Sequence, residues 1–390
     1  MSENDPTIRP TGTDQRELGR VRGGAPGPTL FAVGGMHGNE PAGVLALNRI
    51  LEQLEQGGGI SRGEFVALAG NVGALRERRR FVKQDLNRAW TADRLDHLMN
   101  GGRASAGFEE NEQAELLAEF EEVLADSRGP SFLLDLHTTS GPGGPFVTVS
   151  DTLANRDFGH AVPTPMILGL EELVEGTLLE YMNERGLITA GFESGQHDEP
   201  QAVDRAEAAV WLVLSATDLL PEAMMHRADA ARRYLEEETA ALPRVLEMRY
   251  RHDVQPTDGF HMRPGYSNFQ RVRVGEILAD DEAGEVRARE TARILMPLYQ
   301  EQGEDGFFVV KEFNRFWLGM SRLLRRLPIT RIIHWFPGIR RHPENRRILI
   351  VNKHVARLFA LQLFHLLGYR RYREDGHRLL VMARRAGDRK

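Results

Sequence analysis

Between Thr29 and Leu220 the chain alternates short apolar runs with longer stretches whose apolar residues recur every three or four positions. TLFAVGG (from Thr29), EFVALAG (from Glu64), SFLLDLH (from Ser131) and LITAGFE (from Leu187) predict strands. PAGVLALNRILEQL, FEENEQAELLAEFEEVLADS and QAVDRAEAAVWLVLSATDLL predict the helices around them. Strands joined through helices lie side by side and parallel, so some 190 residues are committed to an α/β domain with a largely parallel sheet flanked by helices.

From about Arg244 the pattern changes to short strand-like pieces rich in Gly, Pro and Asp, which predicts a small β domain. After Lys311 helical spacing returns with a strong basic charge. The expected organisation is a polar segment over 1–27, the α/β domain over 28–243, a β domain over 244–310 and a basic, mainly helical extension over 311–390. That extension holds 20 Lys+Arg against 5 Asp+Glu, so it is about +15 and the body about −21, although the whole chain is only −6. No stretch approaches the ~18 apolar residues of a membrane span and no signal-peptide core opens the chain, so a cytoplasmic protein is expected. No nucleic-acid partner is expected.

Cysteine is absent from all 390 residues, which excludes disulfides, a catalytic thiol and thiolate metal sites. Any metal must be held by His, Asp or Glu. Open α/β sheets bind ligands at the carboxyl ends of their strands, which directs attention to four places. After the first strand come GGMHGNEPAG with His37 and Glu40; after the second, Asn71 and the run VGALRERRRFVKQDLNRAW; after the third, Asp135, His137, Thr138 and Thr139; after the fourth, Glu193.

Two imidazoles and one carboxylate, His37, His137 and Glu40, form the ligand set of a catalytic zinc that keeps a position for water. Read alone, a histidine such as His37 is more often a capping or packing residue than a ligand. Glu193 is the candidate general base; its other reading is a helix cap or an arginine partner. Asp135, on the same strand face as His137, is either an acceptor that orients an imidazole or an unrelated carboxylate. Arg80 and Arg88 follow a strand end and carry forks suited to a carboxylate or a developing oxyanion, whereas Arg76, Arg78 and Arg79 read as solvated charge.

GGMHGNEPAG, RFVKQDLNR, DLHTT and FESGQ, in this order and spacing, resemble the succinylglutamate desuccinylase/aspartoacylase family of zinc amidohydrolases, related to the zinc carboxypeptidases. GYSNFQRVRVGEILAD and LMPLYQEQGEDGFF resemble its C-terminal domain, so the likeness covers about 28–310. It implies a zinc-carboxypeptidase-like fold and one Zn2+ per chain on His37, Glu40 and His137. It further implies hydrolysis of the amide of a small N-acyl amino acid, with metal-bound water as nucleophile and Glu193 as base. Arg80 would polarise the scissile carbonyl, and Asn87 and Arg88 would hold the α-carboxylate. A Tyr and an Arg four apart grip the acyl carboxylate in the family; Tyr181 and Arg185 have that spacing, and Tyr299 is a weaker candidate. The alternatives are a zinc carboxypeptidase acting on peptides, which a β domain closing over the site disfavours, and a non-catalytic scaffold binding membranes or partners, which would not need the full ligand set.

The likeness stops before the extension. Between Phe313 and Leu327, Phe313, Phe316, Trp317, Met320, Leu323, Leu324 and Leu327 fall at helical intervals, opposite Arg315, Arg322, Arg325 and Arg326. Docking onto the acidic body or across a homo-oligomer is the expected use of that stripe, with peripheral contact to anionic lipid as its rival.

Overall fold

The computed structural model describes residues 15–99, 107–313, 319–321, 323–324, 339–342, 348–352, 369–375 and 378–383. In chain order the elements begin with β1 (Glu17–Arg22), β2 (Thr29–Gly34), α1 (Ala42–Gln56), β3 (Glu64–Ala69), α2 (Val72–Glu77), α3 (Ala92–Met99), α4 (Phe108–Asp126), β4 (Ser131–Thr139) and β5 (Phe146–Val149). They continue as α5 (Leu153–Gly159), β6 (Met166–Leu168), α6 (Leu178–Glu184), β7 (Ile188–Gln196), α7 (Gln201–Ala216) and α8 (Met225–Glu238). Then follow β8 (Val245–Asp253), β9 (His261–Met262), β10 (Arg271–Val272), β11 (Ile277–Asp281), β12 (Gly284–Arg287), β13 (Ala292–Leu295) and β14 (Asp305–Glu312). Last come β15 (Ile339–Arg341), β16 (Ile348–Asn352), β17 (Tyr369–Asp375) and β18 (Arg378–Ala383).

One eleven-stranded sheet runs in the order β1-β3-β2-β4-β7-β5-β6-β8-β14-β13-β10. Its centre is parallel: β2 pairs with β3 and β4, and β4 with β7. Every residue of β2 and β3 is buried, as expected of parallel strands covered on both faces. Alternation sorts the β2 side chains: Leu30 and Ala32 pack with Leu47, Ile50 and Val210 under α1 and α7, while Phe31 and Val33 pack with Leu116, Phe120 and Leu178 under α4 and α6. The Phe31 and Phe120 rings lie 4.8 Å apart, and truncating either to Ala costs roughly 3–5 kcal/mol.

The four predicted strands and three predicted helices fall on β2, β3, β4, β7, α1, α4 and α7. Three features differ from the sequence expectation. Glu17–Arg22, inside the segment expected to be merely polar, is an edge strand antiparallel to β3; Glu64 receives Arg20 and Arg22, so ion pairs on β3 hold a strand with little apolar content. The β segment is also continuous with the α/β sheet, because β6 pairs with β8 and β8 with β14. Phe146 and Ile167 share a core with Leu246, Phe269, Leu295 and Phe308, and a second core, with Val272, Leu278, Ile294 and Phe307, lies within the β segment.

The third difference lies in the basic extension: residues 319–321 and 323–324 are helical, but the strands described there form a four-stranded antiparallel sheet, β15-β16-β18-β17, that the sequence did not lead one to expect. ILIV and LLVM are short continuous apolar runs, for which periodicity alone does not separate strand from helix. Of the stripe, Phe316, Trp317 and Leu327 lie outside the described residues; Phe313 packs against the α1/α7 core, Met320 and Leu324 are half-buried and Leu323 is exposed. No helix among the described residues is long and apolar enough to cross a membrane.

Candidate metal centre and active site

The strand ends bring the singled-out groups together by simple steps. β2 ends at Gly34, and Gly35 turns the chain at φ 72°, which a side chain would strain. A Cβ at Gly38 would collide with the Ala74 backbone, so the loop carrying His37 and Glu40 lies directly against α2. β4 and β7 are parallel neighbours in which Asp135 faces Gly191 and His137 faces Glu193, and this register sets the two side chains of the second pair next to each other. Asp135 and His137, two apart on one strand, share a face.

Glu40 is the hub. Its Oε1 lies 2.8 Å from His37 Nδ1 and its Oε2 lies 3.1 Å from His137 Nδ1, while the Thr138 N–H donates to Oε2 at 3.1 Å. Each imidazole is held on its outer side by a second carboxylate: His37 Nε2 lies 3.1 Å from Asp85 Oδ1 and His137 Nε2 lies 2.8 Å from Asp135 Oδ2. An outer carboxylate that accepts a hydrogen bond from Nε2–H leaves Nδ1 with its lone pair facing inward, the tautomer a metal ligand needs. One donor atom from each of His37, Glu40 and His137 lies within 4.8 Å of the others, so the cluster could hold a metal ion, and its nitrogen and oxygen donors suit zinc.

All these groups are buried, and their protonation follows from what surrounds them. Burial opposes charge on Glu40, yet His37 and His137 outweigh it and hold the carboxyl well below its usual range. Asp85 is likewise opposed by burial and held low by His37 and Arg80. Burial disfavours a charged His137, but Asp135 and Glu40 flank it and keep its proton well above the ordinary histidine range. Glu193 goes the other way: burial first, then the charges of Glu40 and Asp135, push it up to about 8 against the pull of His137. Its Oε2 is buried without a hydrogen-bond partner. A carboxylate so placed is poised to take up a proton near neutral pH.

The loop between α2 and α3 delivers the arginines. Glu109 of α4, fully buried, accepts the N–H groups of Val82, Lys83 and Gln84 and so folds the loop inward. Asp85 caps the short turn Leu86–Arg88 by accepting the Asn87 N–H at 2.8 Å. Arg80 donates to Asp85 at 2.9 Å and reaches Glu40 at 3.5 Å, and those two carboxylates raise its already high pKa against the effect of burial. Asn87 Oδ1 accepts the Leu178 N–H at the start of α6. Arg88 donates to Asp305 at the start of β14, at 2.6 Å, and Arg251 binds the other oxygen of Asp305.

A cavity of about 130 Å³ opens over this cluster and is lined by His37, Glu40, Arg80, Asn87, Arg88, His137 and Glu193. Seven of the nine site residues expected from the sequence therefore meet in one place. Tyr181 and Arg185 do not line it: Arg185 donates to the Tyr181 hydroxyl at 3.0 Å and pairs with Glu121, and Tyr181 packs on Trp90. That pairing is what i, i+4 spacing on a surface helix produces by itself. Tyr299 is outside the lining as well, with its hydroxyl donating to Arg263 O and accepting the Tyr266 N–H.

Glu109, Asp305 and a further network are not distinguished by the sequence. In that network Thr138 Oγ1 meets His197 Nδ1 at 2.7 Å, and Gln300 Oε1 accepts from His197 Nε2 at 2.9 Å and from Asn39 Nδ2 at 2.7 Å. Asp85, by contrast, stands out in the sequence as a carboxylate between the two arginines. The others are scattered over the chain and meet only through folding.

Fold and site together define an α/β protein with a buried His-Glu-His cluster at the carboxyl ends of a largely parallel sheet. Residues 26–142 match the model of the succinylglutamate desuccinylase/aspartoacylase catalytic domain. That segment holds His37, Glu40, Arg80, Asn87, Arg88 and His137; Glu193 lies beyond it. A succinylglutamate desuccinylase from Pseudomonas putida is 38% identical over 114 residues, 29% of this chain and 31% of the relative. A probable aspartoacylase from Acaryochloris marina is 32% identical over 126 residues, 31% of this chain and 39% of the relative. The aligned part thus spans about a third of the length of the curated relatives. The crystal structure of a succinylglutamate desuccinylase/aspartoacylase from Rhodobacter sphaeroides superposes with a TM-score of 0.54 over 76% of this chain and 88% of the other, at 17% identity, a likeness of fold.

Proposed function

We propose that this chain hydrolyses the amide bond of a small N-acyl amino acid, releasing a carboxylate and the free amino acid. The observation that carries the reading is the pair of imidazoles held from outside by Asp85 and Asp135 so that both Nδ1 atoms face Glu40, with Glu193 beside them. A zinc ion on His37, Glu40 and His137 would supply Lewis acidity toward a water and the scissile carbonyl. Glu193 takes the proton of the attacking water and passes it to the leaving nitrogen, a transfer suited to a buried carboxyl whose proton is held up to about 8 in the metal-free chain. Arg80, fixed by Asp85, stands where negative charge grows on the carbonyl oxygen. Arg88 and Asn87 hold the α-carboxylate at the cavity wall. Asp85 and Asp135 keep the imidazole tautomers and orientations.

The test is release of free amine from a panel of N-acyl amino acids by protein loaded with one equivalent of zinc. Metal-dependent hydrolysis that stops on chelation and returns with zinc is the expected result. A fully loaded protein that hydrolyses no member of the panel would refute the reading.

A further inference from the structure

One loop of the β segment reaches all four loops that carry the site residues. It runs from residue 296 to 304, between β13 and β14. Gln300 Oε1 accepts at 2.7 Å from Asn39, which stands between His37 and Glu40 after β2. Gln302 Nε2 donates at 3.4 Å to the carbonyl of Phe81, the neighbour of Arg80. Ser140, just past His137 on β4, donates to Pro297 O at 3.1 Å and accepts the Tyr299 N–H at 3.0 Å. His197, just past Glu193 on β7, donates from Nε2 to Gln300 Oε1 at 2.9 Å.

Of these contacts, those of Gln300 lead on to the metal cluster. An amide oxygen only accepts, so the His197 ring carries its N–H at Nε2. In the neutral ring Nδ1 then has the lone pair, and Thr138 Oγ1, 2.7 Å away, is the donor to it. The Thr138 N–H donates in turn to Glu40 Oε2 at 3.1 Å. One amide oxygen from the β segment therefore braces Glu40 from two directions, through Asn39 beside it in the chain and through His197 and Thr138 across the cavity. A carboxylate held in its binding pose loses less freedom when it takes a metal than one that must first be ordered. We infer that Gln300 is a positioning residue for the metal centre: it fixes the aim of Glu40, and so the β segment, which supplies none of the three metal-holding groups, sets the affinity for the metal. This rests on the metal site of the proposed function.

The experiment measures zinc affinity of the full-length protein by competition with a chromophoric chelator, alongside the melting temperature of each metal-free variant. Gln300→Met keeps the length of the side chain and removes the shared acceptor, whereas Gln300→Glu retains it. Gln300→Met is expected to weaken zinc binding by about 10- to 100-fold, the usual worth of a group that orients a ligand. Gln300→Glu is expected to bind at least as tightly as wild type. Thr138→Val weakens binding too, and combined with Gln300→Met it costs less than the product of the two single losses, because both cut one chain. Should Gln300→Met not fold, His197→Phe, which breaks the chain one step further on, takes its place with the same expectation. A lowered melting temperature with zinc affinity unchanged would make Gln300 a merely structural residue and overturn the inference, as would losses that multiply in the double variant. Zinc bound in the expected order by a protein that hydrolyses no N-acyl amino acid would sink the deacylase reading and leave the inference standing. Wild-type protein that takes up no zinc would refute both.

Discussion

The two ends of the cavity are built on opposite terms. Around His37, Glu40 and His137 nearly every polar atom is tied to a named partner, charge is dense, and small movements would break several bonds at once. Beyond Glu193 the wall is richer in apolar groups, Val149, Leu170, Val174, Met296 and Phe308, and is drawn from loops and strands far apart in the chain. The near end is fixed by hydrogen-bond geometry and the far end by shape. On the proposed function, reaction type belongs to the first and choice of substrate to the second, so changes at the two ends should separate in kinetics.

The largest effects are expected at the near end. His37→Ala or His137→Ala removes the bound zinc, measured by elemental analysis of the dialysed protein, and takes hydrolysis below detection. Stoichiometric metal in the double variant would end the comparison. Glu193→Gln keeps the metal and lowers kcat by about 10²–10⁴, the usual worth of a positioned general base; near-wild-type turnover would make Glu193 structural. Arg80→Ala mainly lowers kcat, by about 10², because its oxygen gains charge only on reaction. Arg88→Ala mainly raises KM, by about 10- to 100-fold, because its carboxylate is bound throughout. Equal losses in both parameters for both variants would blur the boundary between the ends.

Far-wall changes are smaller. Leu170→Ala leaves the zinc content unchanged and shifts KM by about tenfold or less between short and long acyl chains. A loss of metal there would show that the ends are not independent. The smallest effect concerns stability without metal. Glu193 keeps its proton up to about 8 in the folded chain and loses it near 4.5 when unfolded, so folded protein binds the extra proton between those values and stability falls as pH rises through them. Glu193→Gln removes that loss. The melting temperature of the metal-free variant should match wild type near pH 4.5 and exceed it by a few degrees near pH 8.

Legibility in the sequence follows the same division. His37 and Glu40 stand just past β2, and His137 and Glu193 sit near the carboxyl ends of β4 and β7; the apolar runs of these strands are unmistakable, and their parallel arrangement does the rest. Arg80 and Arg88 could be proposed because a strand end precedes them. Tyr181 and Arg185 illustrate the limit: spacing on a helix says that two side chains meet, not which way the helix faces. β1 escaped notice because ion pairs rather than apolar residues secure it, and the sheet of the extension because short apolar runs have no period to read. Asp305 and Gln300 join the site through pairings more than 200 residues apart, which no local pattern records.

The unbroken ladder from β7 through β5, β6 and β8 to β14 means that the entrance has no hinge. Swinging residues 244–310 aside would tear β6 from β8 at roughly 0.5–1.5 kcal/mol per hydrogen bond and split the core that Phe146 and Ile167 share with Leu246 and Phe308. The rim therefore acts as a fixed gauge. On the proposed function, a substrate is then admitted by its girth and products leave through the same unchanging aperture.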